Sequence, residues 1–289
     1  MSAVPLHIAI LGAGKVGRNL TAALRHSGAK AKLFSWRNGL PRRPIVADLL
    51  LLCVRDGQLA TVVRQLCQRS LLTPTIAVAH VGGAWGLEPL FELKGKVAGI
   101  AQAHPFLSFA SRRLVHDLRE VPFLVDGDRV GRARVRKMLG MLGAIAVSGH
   151  GVDRPTYHLA AALAANGTVA LLSVAEKLLV EAGLNQRGVS RLLGALLGSV
   201  KDNVLELGVA RALTGPVRRG DAETLARHLR SLHLKGRNWV ELYRLLGRLQ
   251  IPLARQLGEA SPQDLRRAER VLGTTTASSR PAKRRPSCR

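Results

Sequence analysis

Aromatic residues are scarce in this chain: three Trp, two Tyr and five Phe among 289 residues, or 3%. A core therefore has to be built mostly from Leu, Ala and Val, and no aromatic stacking motif of the kind that holds single-stranded nucleic acid is present. Carboxylates are also few, 19 Asp and Glu against 44 Lys and Arg, which leaves a net charge of +25. The three cysteines, Cys53, Cys67 and Cys288, have neither metal-ligand spacing nor a pairing pattern. No zinc knuckle or disulfide framework follows, no metal is expected, and a reducing cytoplasm is the simplest location. Long apolar runs are missing as well: residues 45–54 are strand-length and interrupted by Asp48, so no membrane span is expected. The N-terminus lacks a basic n-region and passes directly into a glycine loop, which argues against a signal peptide.

The excess positive charge draws anions: a phosphorylated cofactor, a carboxylate substrate, or nucleic acid without sequence preference. Five of the charges (Arg280, Lys283, Arg284, Arg285 and Arg289) lie in the last ten residues, leaving about +20 on the rest. There is no recognisable helix-turn-helix, so the charge reads as background and nucleic acid is not expected as a partner.

What is present begins at residue 8. Ile8-Ala9-Ile10-Leu11 is a short apolar strand running into Gly12-Ala13-Gly14-Lys15-Val16-Gly17, a G-x-G-x-x-G at the start of a helix over residues 18–26. Gly12 allows the tight turn, Gly14 lets a pyrophosphate approach the backbone, and Gly17 lets the helix pack on the strand. The helix N-terminus then presents amides and a favourable dipole to the phosphates. The plain alternative is a tight turn with no ligand. A second strand at 31–36 carries no acid at its end to bind a ribose 2′-hydroxyl. Ser35, Trp36, Arg37 and Asn38 stand there instead, with Arg42 and Arg43 beyond. A guanidinium pairs with a 2′-phosphate through parallel hydrogen bonds, so Arg37, with Ser35 as second donor, points to NADP(H) rather than NAD(H). Solvated arginines are the bland reading.

Strand and helix alternate over residues 4–150, with further strands at 45–54, 75–80, 97–101, 122–126 and 144–148 and helices at 59–66 and 129–142. Such alternation is the mark of a doubly wound α/β domain. The pattern then changes. Asp153 caps a helix that runs to about residue 182, unusually long for a globular protein. Helices follow at about 185–208, 221–232 and 238–258, and a short one opens at Ser261-Pro262. The expected organisation is a Rossmann domain over 1–150, an all-helical substrate or dimerisation domain over 151–273, and a disordered basic tail over 274–289.

Several short motifs occur in one order: the glycine loop, Val54-Arg55-Asp56, His80-Val81-Gly82-Gly83, His104-Pro105-Phe106, Tyr157-His158, Asn166, and Thr214-Gly215-Pro216-Val217-Arg218-Arg219-Gly220-Asp221. Together they resemble the oxidoreductase-like family that joins a Rossmann-like domain to a helical domain of unassigned function. That family is similar to the wider 6-phosphogluconate dehydrogenase-like group, which includes pyrroline-5-carboxylate reductase, ketopantoate reductase and prephenate dehydrogenase. The resemblance covers about residues 4–255. It implies an NADP-linked dehydrogenase or reductase with its site in a cleft, and a homodimer through the helical domain. The chain departs from the family where residues 80–84 usually read His-x-Ser-Gly-Ala: Gly82 stands in place of the serine, and any role for that hydroxyl is lost.

Gly12, Val54, His80 and His104 fall at or just past the C-terminal ends of strands, where ligands of open α/β sheets bind. Val54 and Arg55 would then contact cofactor ribose or nicotinamide; alternatively Arg55 and Asp56 simply start a loop. His80 shapes the pocket or touches cofactor. His104 matches a His-Pro of prephenate dehydrogenases, and an imidazole suits the proton that accompanies hydride transfer. His158 and Asn166 lie eight residues apart, roughly 80° on a helical wheel, so both can border one groove. The resemblance implies a polar residue of the long helix over the nicotinamide, for which Asn166 is the match; the alternative is a helix–helix hydrogen bond. Thr214 and Arg219 are candidates for a substrate carboxylate, in a turn whose Asp221 also reads as a helix cap. The function expected is hydride transfer between NADP(H) and a small carbonyl or imine that is itself a carboxylate, such as a 2-keto acid. The alternative is a non-catalytic NADP(H)-binding sensor or scaffold.

Overall fold

The structure is a computed structural model that describes residues 6–110 and 117–273. The expected basic tail over 274–289, with Cys288, lies outside the described residues. Seven strands form one sheet: β1 (His7–Leu11), β2 (Lys30–Phe34), β3 (Leu49–Leu52), β4 (Ala77–His80), β5 (Gly99–Pro105), β6 (Pro122–Gly127) and β7 (Ile145–Ser148). Their spatial order is β2-β1-β3-β4-β5-β6-β7, parallel throughout except for the antiparallel β5–β6 pair. Helices α1 (Lys15–His26), α2 (Leu59–Gln68) and α3 (Arg129–Leu142) pack on it. The strands alternate their side chains between two faces. Ile8, Ile10, Leu49 and Leu51 meet Leu20 and Leu24 of α1 and Val135 and Met138 of α3. Ala9, Leu11, Leu50 and Leu52 meet Val62, Val63 and Leu66 of α2. Strand β3 is four leucines, all buried, because an inner parallel strand has no solvent face.

The sheet puts β1 between β2 and β3, so successive crossovers run in opposite directions from its C-terminal end. That end is the switch point where open α/β sheets place ligands, and Gly12 is the first residue past it.

After β7 the chain is helical: α4 (Arg154–Ala162), a π turn (Leu163–Gly167), α5 (Thr168–Glu181), α6 (Gln186–Leu207), α7 (Ala222–His233), α8 (Arg237–Leu257) and α9 (Pro262–Leu272). Local chemistry sets the starts. The side chains of Asp153, Asn185, Asp221 and Ser261 accept from Thr156, Arg187, Thr224 and Asp264 N–H respectively, satisfying donors a helix cannot pair itself. Buried Leu225, Ile251, Ala254, Leu265 and Leu272 close a small core among α7, α8 and α9.

The chain divides into two compact units, Met1–Leu171 and Leu172–Arg289. The division falls inside the long helix, whereas the composition change lies near residue 150. Three expectations need correction. The strand expected over 45–54 is ordered only from Leu49 to Leu52, because the side chain of Asp48 accepts from the His7 N–H and Val46 is exposed. Strand β2 stops at Phe34, and Trp36–Asn38 turn as a 3-10 helix. The segment Arg154–Glu181 is long and apolar enough, by length and composition alone, to cross a membrane.

Asp128 caps α3 through the Gly131 N–H (2.8 Å) and also accepts from Ile100 N–H on β5 (2.7 Å). Asp128→Ala removes both bonds and is expected to lower the unfolding free energy by about 2 kcal/mol, read as a lower urea midpoint at unchanged m-value.

Candidate functional site

Two hollows of the first unit collect most of the residues singled out above. The first lies over the glycine loop. Gly12 has φ +121°, a conformation that side chains rarely adopt, and a Cβ there would overlap the Cys53 carbonyl. A Cβ on Gly17 would overlap the Gly12 carbonyl, so α1 sits on the turn backbone to backbone. Gly14 faces open space. The three glycines thus divide into two that permit packing and one that leaves room for a ligand.

The crevice beside Gly14 has a volume of about 360 Å³. Gly12, Ala13, Gly14, Ser35, Arg37, Val54 and Arg55 line it, as the sequence reading expects. Lys15 is exposed at the first turn of α1 and does not line it; Val16 packs against the core and Gly17 is buried under the turn. Trp36, read at the end of the second strand, lines it too, whereas sequence reasoning missed Arg18, Cys53 and Gln58. Arg18 donates from Nε to the Ala13 carbonyl at 2.9 Å, which fixes its guanidinium beside the loop. The signal available was its place one residue past Gly17, in the turn that faces the loop. Arg18, Arg37 and Arg55 line the crevice and no carboxylate does. Open space at Gly14, three guanidinium groups and free amides at a helix start fit the pyrophosphate and 2′-phosphate of a dinucleotide. Cys53 is buried against the loop, and burial pushes its thiol up to about 12; it is not a nucleophile.

His80, expected either to shape the pocket or to touch cofactor, is not among the residues lining the crevice. It is fully buried, its Nδ1 accepts the Gly82 N–H (3.1 Å), and its Nε2 therefore carries the proton and donates to the Gly86 carbonyl (2.6 Å). Both nitrogens are used in holding the loop after β4, and His80 does not line the crevice. Buried Gln102 holds the same loop, donating to the Gly82 and Trp85 carbonyls at 2.7 and 2.6 Å. A side chain at Gly82 would run into the Asp56 carboxylate. The space a serine would take is therefore filled by that carboxylate.

The second hollow, about 340 Å³, is lined by His104, Phe106, Ser108, His158, Ala162 and Asn166 among others. The three catalytic candidates meet here. His104 ends β5 beside Pro105, and its Nδ1 is 2.8 Å from the Tyr157 hydroxyl. Its Nε2 and the His158 Nδ1 converge on Gly83: a Cβ there would stand 2.7 Å from each. The two imidazoles cross edge to face, 6.2 Å between centroids. Burial, then the charges of His158, His80 and Arg154, hold the His104 pKa down to about 4. His104 is neutral at pH 7 and acts through N–H donation or acceptance rather than as an imidazolium. Burial raises the Tyr157 phenol. Tyr157 is the residue that sequence reasoning named only as part of a motif, and it orients the His104 ring.

Asn166 reaches the hollow by way of the π turn. A π turn winds fewer degrees per residue than an α turn, which cancels much of the 80° offset from His158. The side chain is exposed. Helix α4 is anchored by Arg154, which is buried and bonded to Asp126 Oδ2 (2.8 Å) and the Gly149 carbonyl (2.9 Å).

Thr214 and Arg219 belong to the second unit, are exposed, and line neither hollow. In their turn Arg218 does the structural work, bonding Glu259 and the Leu213 carbonyl, while Asp221 caps α7.

Sheet, switch-point crevice and following helices define a protein with a Rossmann-type α/β domain and a helical C-terminal region. The profile of the Rossmann-like domain matches residues 39–105, and that of a domain of unknown function (DUF2520) matches residues 121–250. The chain thus carries a Rossmann-like domain followed by that domain of unknown function. None of the curated proteins matches. Among solved structures, a Bacteroides fragilis protein provisionally assigned as an NADP oxidoreductase is 22% identical, with TM-score 0.67, over 85% of this chain and 98% of its own. A pyrroline-5-carboxylate reductase from Coxiella burnetii is 17% identical, with TM-score 0.55, over 88% and 99%. The pyrroline carboxylate reductase of Plasmodium falciparum, solved with NADP bound, is 11% identical, with TM-score 0.52, over 92% and 98%. At these identities the likeness is one of fold.

The low pKa of His104 makes stability depend on pH. Its folded value, about 4, lies below the ordinary 6.5, so the unfolded chain binds more protons between the two. Stability is then full above about 6.5 and falls as pH drops toward 4. Urea unfolding at pH 7 and pH 4.5 is expected to show this loss, and His104→Gln is expected to reduce it. Gly83→Ala must displace one imidazole, so the His104 and His158 ring resonances are expected to move while the far-ultraviolet dichroism stays unchanged.

Proposed function

We propose that this protein is an NADP(H)-dependent oxidoreductase acting on a small carbonyl or imine substrate that carries a carboxylate. The observation that carries the reading is the pair of hollows in one compact unit, one a cationic dinucleotide crevice, the other bringing His104, His158 and Asn166 together. Short contacts link them: Val54 and Arg55 of the crevice lead to Asp56, whose carboxylate abuts Gly82, and the next residue, Gly83, abuts both imidazoles. The fold shared with an NADP-bound reductase adds support.

Gly14 and the amides opening α1 hold the pyrophosphate, and Arg37 with Ser35 holds the 2′-phosphate, with Arg18 alongside. The bound nicotinamide supplies hydride exchange at its C4. Tyr157 keeps the neutral His104 ring in one orientation, with Nε2 turned toward Gly83 and His158. The substrate oxygen or nitrogen takes its proton from this pair, His158 being the more exposed of the two and the one open to solvent. Asn166 orients the acceptor with its amide. A 2-keto acid is the first substrate class, a cyclic imine the second, and the net positive charge of the chain favours such anions.

We further read the protein as a homodimer, with Thr214 and Arg219 offered to a substrate carboxylate. Supporting the dimer, α6 buries only Val189 and Leu193 and leaves Leu192, Leu196, Val200 and Leu205 exposed.

Three measurements test the reading. NADPH oxidation against a panel of 2-keto acids and cyclic imines is expected to give turnover with at least one; tight NADPH binding without any turnover would leave a sensor or scaffold. Arg37→Asp is expected to weaken NADPH binding by about tenfold or more and to spare NADH, since a paired 2′-phosphate contact is worth about 1.5–3 kcal/mol. His104→Ala and Asn166→Ala are expected to cut turnover about a hundredfold with NADPH affinity nearly intact.

A further inference from the structure

The crossover from β2 to β3 contains no α-helix. Between Phe34 and Leu49 the chain makes only the short turn Trp36–Asn38 and then an extended stretch through Pro41, Arg42, Arg43 and Pro44. A parallel crossover usually lays a helix on the sheet. Here residues 41–46 cover the β1–β2 end of that face instead, and they leave a hollow of about 630 Å³ against the strands. This is within the size range of small-ligand sites, about 300–1,000 Å³. Ala9, Phe34 and Ile45 give it apolar walls. Its ionisable lining is Lys30, Lys32, Arg42, Arg43 and His7, and it includes no carboxylate.

Among the described residues none of the four long cations is paired with an acid. Lys32 Nζ sits 5.1 Å from the centroid of the Phe34 ring. Asp48, which follows the loop, is already engaged by the His7 N–H and by Arg134. Lysines on an edge strand guard against stray pairing, which accounts for Lys30 and Lys32. It does not account for Arg42 and Arg43, which the loop brings to the same hollow. Four cations around one apolar-walled space repel one another, and an anion relieves that repulsion.

We propose that this hollow binds a small amphipathic anion, with an aromatic or aliphatic body against Ala9, Phe34 and Ile45 and a phosphate or carboxylate among Lys30, Lys32, Arg42 and Arg43. The site shares no lining residue with the proposed dinucleotide crevice, although Phe34 brings its edge to the end of β2. It does not depend on the oxidoreductase reading.

The test is calorimetric titration of the full chain with phenyl phosphate, benzoate and inorganic phosphate. Phenyl phosphate or benzoate is expected to bind one per chain, about tenfold or more tighter than inorganic phosphate, and the tighter of the two names the head group. The double variant R42A/R43A, altered only in an exposed loop, is expected to weaken that binding about tenfold or more. The control R187A/R191A, on α6, and the crevice variant Arg37→Asp are expected to leave it unchanged. The proposal is overturned if no probe binds, if inorganic phosphate binds as well as the aromatic anions, if the α6 control loses as much as the loop variant, or if Arg37→Asp abolishes binding.

Discussion

Backbone touching backbone at two points governs the N-terminal unit. The Cα of Gly17 rests on the carbonyl of Gly12, and the Cα of Gly12 rests on the carbonyl of Cys53. These contacts set how closely α1 approaches β1 and how closely the turn approaches β3, and neither leaves room for a methyl group. Once the turn lies there, Gly14 faces an open crevice, Arg18 reaches back to Ala13, and the chain leaving β2 brings Ser35 and Arg37 to the opposite wall. An open crevice lined by three arginines therefore appears as the by-product of close packing. The glycines are fixed by steric limits before any phosphate is considered.

A second set of constraints positions the histidines. Arg154 is held by Asp126 and Gly149, which places the start of α4 beside β6. From that anchor Tyr157 reaches His104 and His158 faces Gly83. The ion pair is largely buried, and removing one partner of such a pair leaves an uncompensated charge. The loop after β4 is fixed just as firmly, through His80 and Gln102, by four bonds to backbone atoms. Rigid supports behind a solvent-open hollow are the arrangement that accurate placement of a reacting group calls for.

Much of this was legible in the residues. Strand–helix alternation, the glycine spacing and the cap residues Asp153, Asp221 and Ser261 each have a local cause, and each local expectation met a matching element. The 129–142 helix is bounded by Asp128 and Gly143, and both ends came out as read. Features that depend on the third dimension were not legible. The sequence assigned His80 and His104 different roles, but the buried backbone partners that tie up both nitrogens of His80 could not be read from it. The π turn has no composition signature in Leu163–Gly167, yet it decides where Asn166 points. The hollow beside Arg42 and Arg43 could not be foreseen either, because it comes from a helix that the crossover lacks. Thr214 and Arg219 were drawn in by a motif whose visible work, in Arg218 and Asp221, is to fasten the turn.

Cys53 has a bearing on how this crevice ages. Its backbone and Cβ pack against the glycine turn, and burial pushes the thiol up to about 12, so it stays protonated near neutral pH. Peroxide and disulfides react with the ionised form, so this thiol is nearly inert to both. The geometry of the crevice is thereby insulated from thiol chemistry at the residue that supports it.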